Sequence, residues 1–217
     1  MEAKTILARV VLAALTMGSA GAADATRSLD GGSIVGALDD ELGGWKRGMR
    51  ARVLDVVAQD DRAEVREAAA RHLANVGLPL PGAARRTVKL LAVDQDGKVR
   101  AQLIKSVREL VKSAAPLEAT QLLANWSISR SAPLRNLTAD VLADEVRFVG
   151  LPEALESLAT CDEPEIRRSA ARAAAARARG GDAIYRTILM TITADEDADT
   201  ANLARRLLSD LSLPLEG

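Results

Sequence analysis

Asp60-Asp61-Arg62-Ala63-Glu64-Val65-Arg66-Glu67-Ala68-Ala69-Ala70-Arg71-His72-Leu73-Ala74 decides the fold, because variants of this stretch return at a fixed interval to the C-terminus. Aligned on the apolar residue before an arginine, the copies are Val65-Arg66, Val99-Arg100, Leu134-Arg135 and Ile166-Arg167, with a weaker fifth at Thr200-Ala201. The steps are 34, 35, 32 and 34 residues. A constant period of this size marks stacked supersecondary units, none of which can bury its apolar face alone.

Each anchor is followed by small or apolar residues three, four, seven and eight positions on, the spacing of one helix face. The first copy places Ala68, Ala69, His72 and Leu73 there, and the fourth Ser169, Ala170, Ala173 and Ala174. Acidic residues precede the anchors at Asp60 and Asp61, Asp94 and Asp96, Asp162 and Glu163, and Asp195 to Asp199, where the free amides of a helix N-terminus want acceptors. Pro133 and Pro164 occupy first-turn positions. Each copy therefore starts a helix.

Asp-x-x-x-Glu-Val-Arg-x-Ala-Ala and, at 162 to 171, Asp-Glu-Pro-Glu-Ile-Arg-Arg-Ser-Ala-Ala resemble HEAT repeats, specifically the short variety named after phycobilisome lyases. The resemblance covers about residues 45 to 214 and implies an all-α fold, a right-handed α-solenoid of about five HEAT-like helix pairs. First helices are expected near 45–58, 81–93, 116–127, 152–160 and 182–193. Second helices are expected near 62–75, 97–113, 133–148, 164–179 and 198–211. The connectors repeat too, as Val76-Gly77-Leu78-Pro79, Val149-Gly150-Leu151-Pro152 and Leu211-Ser212-Leu213-Pro214.

The start of the chain reads differently. Lys4 and Arg9, the apolar run Val10 to Met17, and small residues at Ala20 and Ala22 make residues 1–22 a secretory signal peptide with cleavage after Ala22, hence a periplasmic or secreted product. The run is too short for a stable membrane span. Residues 23–44, with five glycines from Gly31 to Gly44, read as a flexible linker with at most a short helix, and 45–217 as the repeat domain.

Composition excludes some function classes. Aromatics at 2% are too few for an ordinary globular core but suit closely packed helix pairs. A net charge of −1 lacks the footprint of a general nucleic-acid binder. His72, the one histidine, falls on the buried stripe, and Cys161 stands alone, so neither a metal site nor a cofactor is expected. Asp195-x-Asp197-x-Asp199 and Asp94-x-Asp96-Gly97 imitate calcium loops, but Arg206 and Lys105 replace the closing glutamate. The Asn125 and Asn136 sequons are read as coincidence.

Two arginine series remain. Arg66, Arg100, Arg135 and Arg167, directly after the anchors, form a structural ladder in the HEAT-like reading, each bonding an acidic turn of a neighbouring repeat. Arg71, Lys105, Asp140, Arg172 and Arg206 lie six residues after the anchors, roughly opposite the buried stripe. With Arg108, Arg168 and Arg205 they would make a shallow basic groove on the side that the resemblance makes concave. The leading function is an exported, non-enzymatic scaffold binding a protein partner, or its acidic segment, through Arg71, Lys105, Arg108, Arg168, Arg172 and Arg206. The alternatives are a lyase-like protein acting on or chaperoning a chromophore or modified protein, and a self-assembling envelope protein that forms homo-oligomers through its C-terminal end.

Overall fold

The computed structural model describes residues 5, 6, 8–10, 12, 26–143 and 151–212. Most of the expected signal peptide, its cleavage point, the end of the 133–148 helix and the last connector lie outside these residues. Ile6 and Val10 are buried.

The chain divides into two units, Met1–Ala114 and Ala115–Gly217; the expected repeat domain spans both. Unit 1 holds α1 (Gly31–Glu41), α2 (Arg47–Val57), α3 (Ala63–His72), α4 (Gly82–Ala92) and α5 (Gly97–Ser113). Unit 2 holds α6 (Pro116–Ser127), α7 (Ala132–Leu142), α8 (Leu151–Ala159), α9 (Pro164–Ala178), α10 (Ala183–Ile192) and α11 (Ala198–Ser212). Among the described residues all ten expected helices are present as five pairs, and α1 precedes them.

Each unit is two layers. In unit 1 the first helices α2 and α4 pack side by side, and the second helices run α1, α3, α5. In unit 2 the first helices run α6, α8, α10 and the second α7, α9, α11. The anchors seat this arrangement: Val65, Val99, Leu134 and Ile166 are all at most 4% exposed. Small residues then decide how near the helices come. Apart from Ile166 and Arg167, every buried residue of α9 is alanine, and α9 packs against four other helices.

The helix starts use the acids in two ways. Asp96 and Asp197 cap their helices by accepting from the amides of Lys98 at 2.7 Å and Thr200 at 2.9 Å. The acids two residues earlier shape the turn, Asp94 accepting from the Asp96 amide at 2.9 Å and Asp195 from that of Asp197 at 2.8 Å. Asp60 does the same for the Arg62 amide at 3.0 Å. Pro116, Pro133 and Pro164 lie in the first turns of their helices. Gly77 ends the first pair at φ 76°, a left-handed backbone that glycine adopts without strain.

The short helix allowed within the glycine-rich stretch 23–44 is present and packed. Residues 31–41 form a helix of eleven residues, capped by Asp30 and burying Ile34, Ala37 and Leu38. Burial of those side chains outweighs the weak helix propensity of glycine. Gly31 is there for space: a Cβ on it would stand 3.2 Å from Glu64 Oε1 and 3.4 Å from the Arg62 side chain. The glycine lets the start of α1 meet the start of α3.

Candidate functional site

The arginines that follow the anchors bond two turns at once. Nη1 of Arg66 donates to the carbonyls of Asp60 at 2.9 Å and Asp61 at 2.8 Å, while Nε and Nη2 donate to the Asp94 carboxylate at 2.6 and 3.0 Å. Arg167 repeats the pattern on the carbonyls of Cys161 and Asp162 and on Asp195, at 2.7 and 2.8 Å. The donor edge of a guanidinium matches a carboxylate in this way because both are planar forks. Side-chain exposure of 7% for Arg167 and 5% for Asp195 keeps solvent from screening the pair.

Charge at these pairs is strongly favoured. The Arg167 bond, against the effect of burial, holds the Asp195 carboxyl below its ordinary range. Burial works against the Asp94 charge, yet the Arg66 bond and the Asp96 amide outweigh it and lower that carboxyl too.

Arg135 and Arg100 depart from the pattern. Cys161 stands where Asp94 and Asp195 stand in their repeats, so Arg135 turns instead to Glu163, with Nη2 donating to Oε1. Its Nε is left buried without a hydrogen-bond partner. Arg100 keeps only the carbonyl half: Nη1 donates to Asp94 and, at 3.0 Å, to Gln95. No carboxylate is bonded to it among the described residues.

Arg62, which the sequence did not single out, plays the ladder's part at the start of the row. It grips the Asp60 carboxylate at 2.8 Å through both Nε and Nη2 and donates to the carbonyls of Leu29 at 2.7 Å and Thr26 at 3.2 Å. A backward extension of the period was the available signal, since Thr26 lies 34 residues before Asp60.

The outward series falls into two surfaces. In unit 1, Arg71 and Lys105 are exposed on α3 and α5, which are joined by a 3.3 Å bond from Ser106 Oγ to the Arg71 carbonyl, and Arg108 is half-buried. Arg71 also faces Asp39 of α1 at 3.5 Å. His72 is a boundary residue: Nε2 lies 2.7 Å from Asp39 Oδ1 and Nδ1 3.2 Å from the Asn75 side-chain amide nitrogen. In unit 2, Arg168 is engaged by Asp197 at 3.0 Å, whereas Arg172 on α9 and Arg206 on α11 are exposed. Arg205, also exposed, bonds Asn202 and the Thr193 carbonyl.

An open depression near 340 Å³ lies beside the fourth ladder turn, lined by Thr160, Cys161, Arg167 and Asp195 among others. Burial pushes the Cys161 thiol up, so it stays protonated at neutral pH and is a poor nucleophile. Both anions of the Asp195-x-Asp197 segment are bonded to arginine. Among the described residues no group of three or more His, Cys, Asp or Glu side chains could hold a metal ion.

Comparison with protein-family models finds no match, and neither does comparison with curated proteins. Among solved structures, Cex1p is similar at TM-score 0.55 and 14% identity over 96% of this chain. The chain spans less than half of the length of Cex1p, 43%. An engineered protein aligns at TM-score 0.45 and 18% identity, covering 94% of this chain and 96% of its own. A designed armadillo repeat protein in complex with the peptide (KR)4 aligns at 0.42 and 14%, covering 97% and 100%.

The chain is an all-helical repeat solenoid. At these identities the likeness concerns the fold alone, and repeat folds host unrelated roles.

Proposed function

We propose that the chain is an exported, non-enzymatic scaffold that holds an acidic segment of a protein partner on the second-helix face of unit 2. One observation carries the reading. Arg172 and Arg206 occupy the same register on α9 and α11, which pack side by side, and both are exposed, while Arg167 and Arg168 between them take up Asp195 and Asp197. Two outward guanidinium groups on neighbouring helices form a pair of forks for carboxylates. Arg71 and Lys105 offer a similar but weaker pair in unit 1, because Asp39 already faces Arg71.

Export rests on the leader-like pattern of residues 1–22. No helix among the described residues is long and apolar enough to cross a membrane. Intact mass of the protein recovered from the periplasm tests cleavage after Ala22.

Partner binding is tested by capture from an envelope extract with the wild-type chain and with Arg172→Glu/Arg206→Glu. A partner captured by the first and lost by the second, at equal thermal stability, supports the site. Equal capture by both rejects it.

A further inference from the structure

The exposed faces of the first helices, termed outer faces for each unit by itself, carry opposite charge in the two units. Unit 1 has 18 basic and 14 acidic residues, and unit 2 has 11 and 16, so a near-neutral chain is made of halves at +4 and −5. Loss of residues 1–22 leaves unit 1 at +3.

The asymmetry is concentrated on the first helices. Lys46 at the start of α2, then Arg47, Arg50 and Arg52 within it, join Arg85, Arg86 and Lys89 of α4. The one acid on these two helices is Asp55, which is buried and bonded to Arg86. Lys46, Arg52, Arg85 and Lys89 are exposed, and Arg86 keeps 64% of its side chain in solvent despite its bond. The first helices of unit 2 reverse the sign, with Glu118, Glu153 and Glu156 exposed on α6 and α8 and Arg186 the sole base.

Both faces also show apolar side chains. Among the residues described from 26 onward, every large exposed hydrophobe lies on a first helix or at its end. Leu90 at 41% and Val93 at 57% do so in unit 1. Leu117, Ile128, Ile184 and Met190, at 41 to 71%, do so in unit 2. Apolar side chains on a face with an excess of charge of one sign suit a partner whose apolar side chains lie on a face with an excess of the other.

From this complementarity we infer that the outer face of unit 1 binds the outer face of unit 2 of a second copy of this chain. Such a contact joins two different surfaces, so it adds copies head to tail until a ring closes or the protein runs out. It uses neither the Arg172 and Arg206 pair nor the C-terminal end, and stands apart from the partner reading. Opposite charge draws the copies together and sets their polarity, while the exposed leucine, isoleucine, valine and methionine side chains gain by leaving water.

Light scattering of the full chain, over a concentration series at low and high ionic strength, tests the inference. The mass should rise with concentration, and the dissociation constant should weaken on the order of tenfold or more in high salt. Arg52→Glu/Lys89→Glu and Glu153→Lys/Glu156→Lys change exposed side chains only, and each variant alone should stay monomeric with unchanged thermal stability. An equimolar mixture of the two should associate again, since each restores the sign that the other lacks. A wild-type chain monomeric at every concentration overturns the inference, as does a mixture that stays monomeric. Association lost on removing residues 213–217 but indifferent to both charge reversals would belong to end stacking and overturns it too. So would a monomer that sediments with phosphatidylglycerol vesicles through Arg52 and Lys89.

Discussion

Arg66 and Asp94 close a two-point ion pair between successive repeats, with Nε 2.6 Å from Oδ2 and Nη2 3.0 Å from Oδ1. Because the same guanidinium also holds two carbonyls of its own turn, one side chain fixes the spacing of α3 from α5.

Removing that side chain should leave a largely buried carboxylate and two carbonyls without their donor. Arg66→Ala is expected to lower stability by about 2–4 kcal/mol in urea unfolding. Arg100→Ala, which loses only exposed carbonyl bonds, should cost under about 1 kcal/mol. Equal losses at the two positions would mean that the carboxylate adds nothing.

Cys161 occupies a ladder position without supplying a carboxylate, and Arg135 Nε is buried beside it without a partner. Cys161→Asp should provide the missing acceptor and raise the midpoint of thermal unfolding by about 2–4 °C, the shift that roughly 1 kcal/mol gives a chain of this size. Cys161→Ser should leave the midpoint nearly unchanged. A lower midpoint for the aspartate would show that Glu163 already satisfies the arginine.

Acid should unlock the ladder. Asp94 and Asp195 have carboxyls lowered by folding, so their contribution is complete above the unfolded carboxylate range, near pH 4, and is lost as pH falls through the still lower folded values. Stability followed by circular dichroism should therefore stay flat from pH 7 to about 5 and drop below about 4. In Asp94→Asn/Asp195→Asn the acid limb should be shallower, and an identical limb would place the titration elsewhere.

The first helix offers a test of where the fold begins. Leu38→Ala, at a fully buried site, should cost about 2–4 kcal/mol and strip hydrogen-exchange protection from residues 31–41. An unaffected unfolding curve would return that segment to the status of a linker.

The repeats were legible because their signal is periodic: an apolar anchor, an arginine, and small residues on one face recur whatever the loops between them do. The arginines were legible as a series, and Ser129 and Cys161 mark in the sequence where the carboxylate five residues before the anchor is missing; that Arg135 turns to Glu163 instead is seen only in the structure. The helix at 31–41 was hard to read for a local reason. Glycines 31, 32 and 36 argue against a helix by propensity, and only the approach of Glu64 and Arg62 from α3 shows why Gly31 is small. Arg62 is read only when the period is extended back to Thr26, and two of its partners are main-chain carbonyls 33 and 36 residues away. The outer-face charge was hidden by a net value near zero, because opposite excesses in the two units cancel.

Helix α9 carries both kinds of arginine five residues apart: Arg167, buried and bonded to Asp195, and Arg172, exposed. If the arginine beside the anchor serves the fold and the one facing out serves a partner, urea unfolding of Arg167→Ala and Arg172→Ala, measured side by side, separates them. Arg167→Ala should lose about 3 kcal/mol, and Arg172→Ala should stay within about 0.5 kcal/mol of wild type. A loss at Arg172 as large as that at Arg167 would contradict the division of roles.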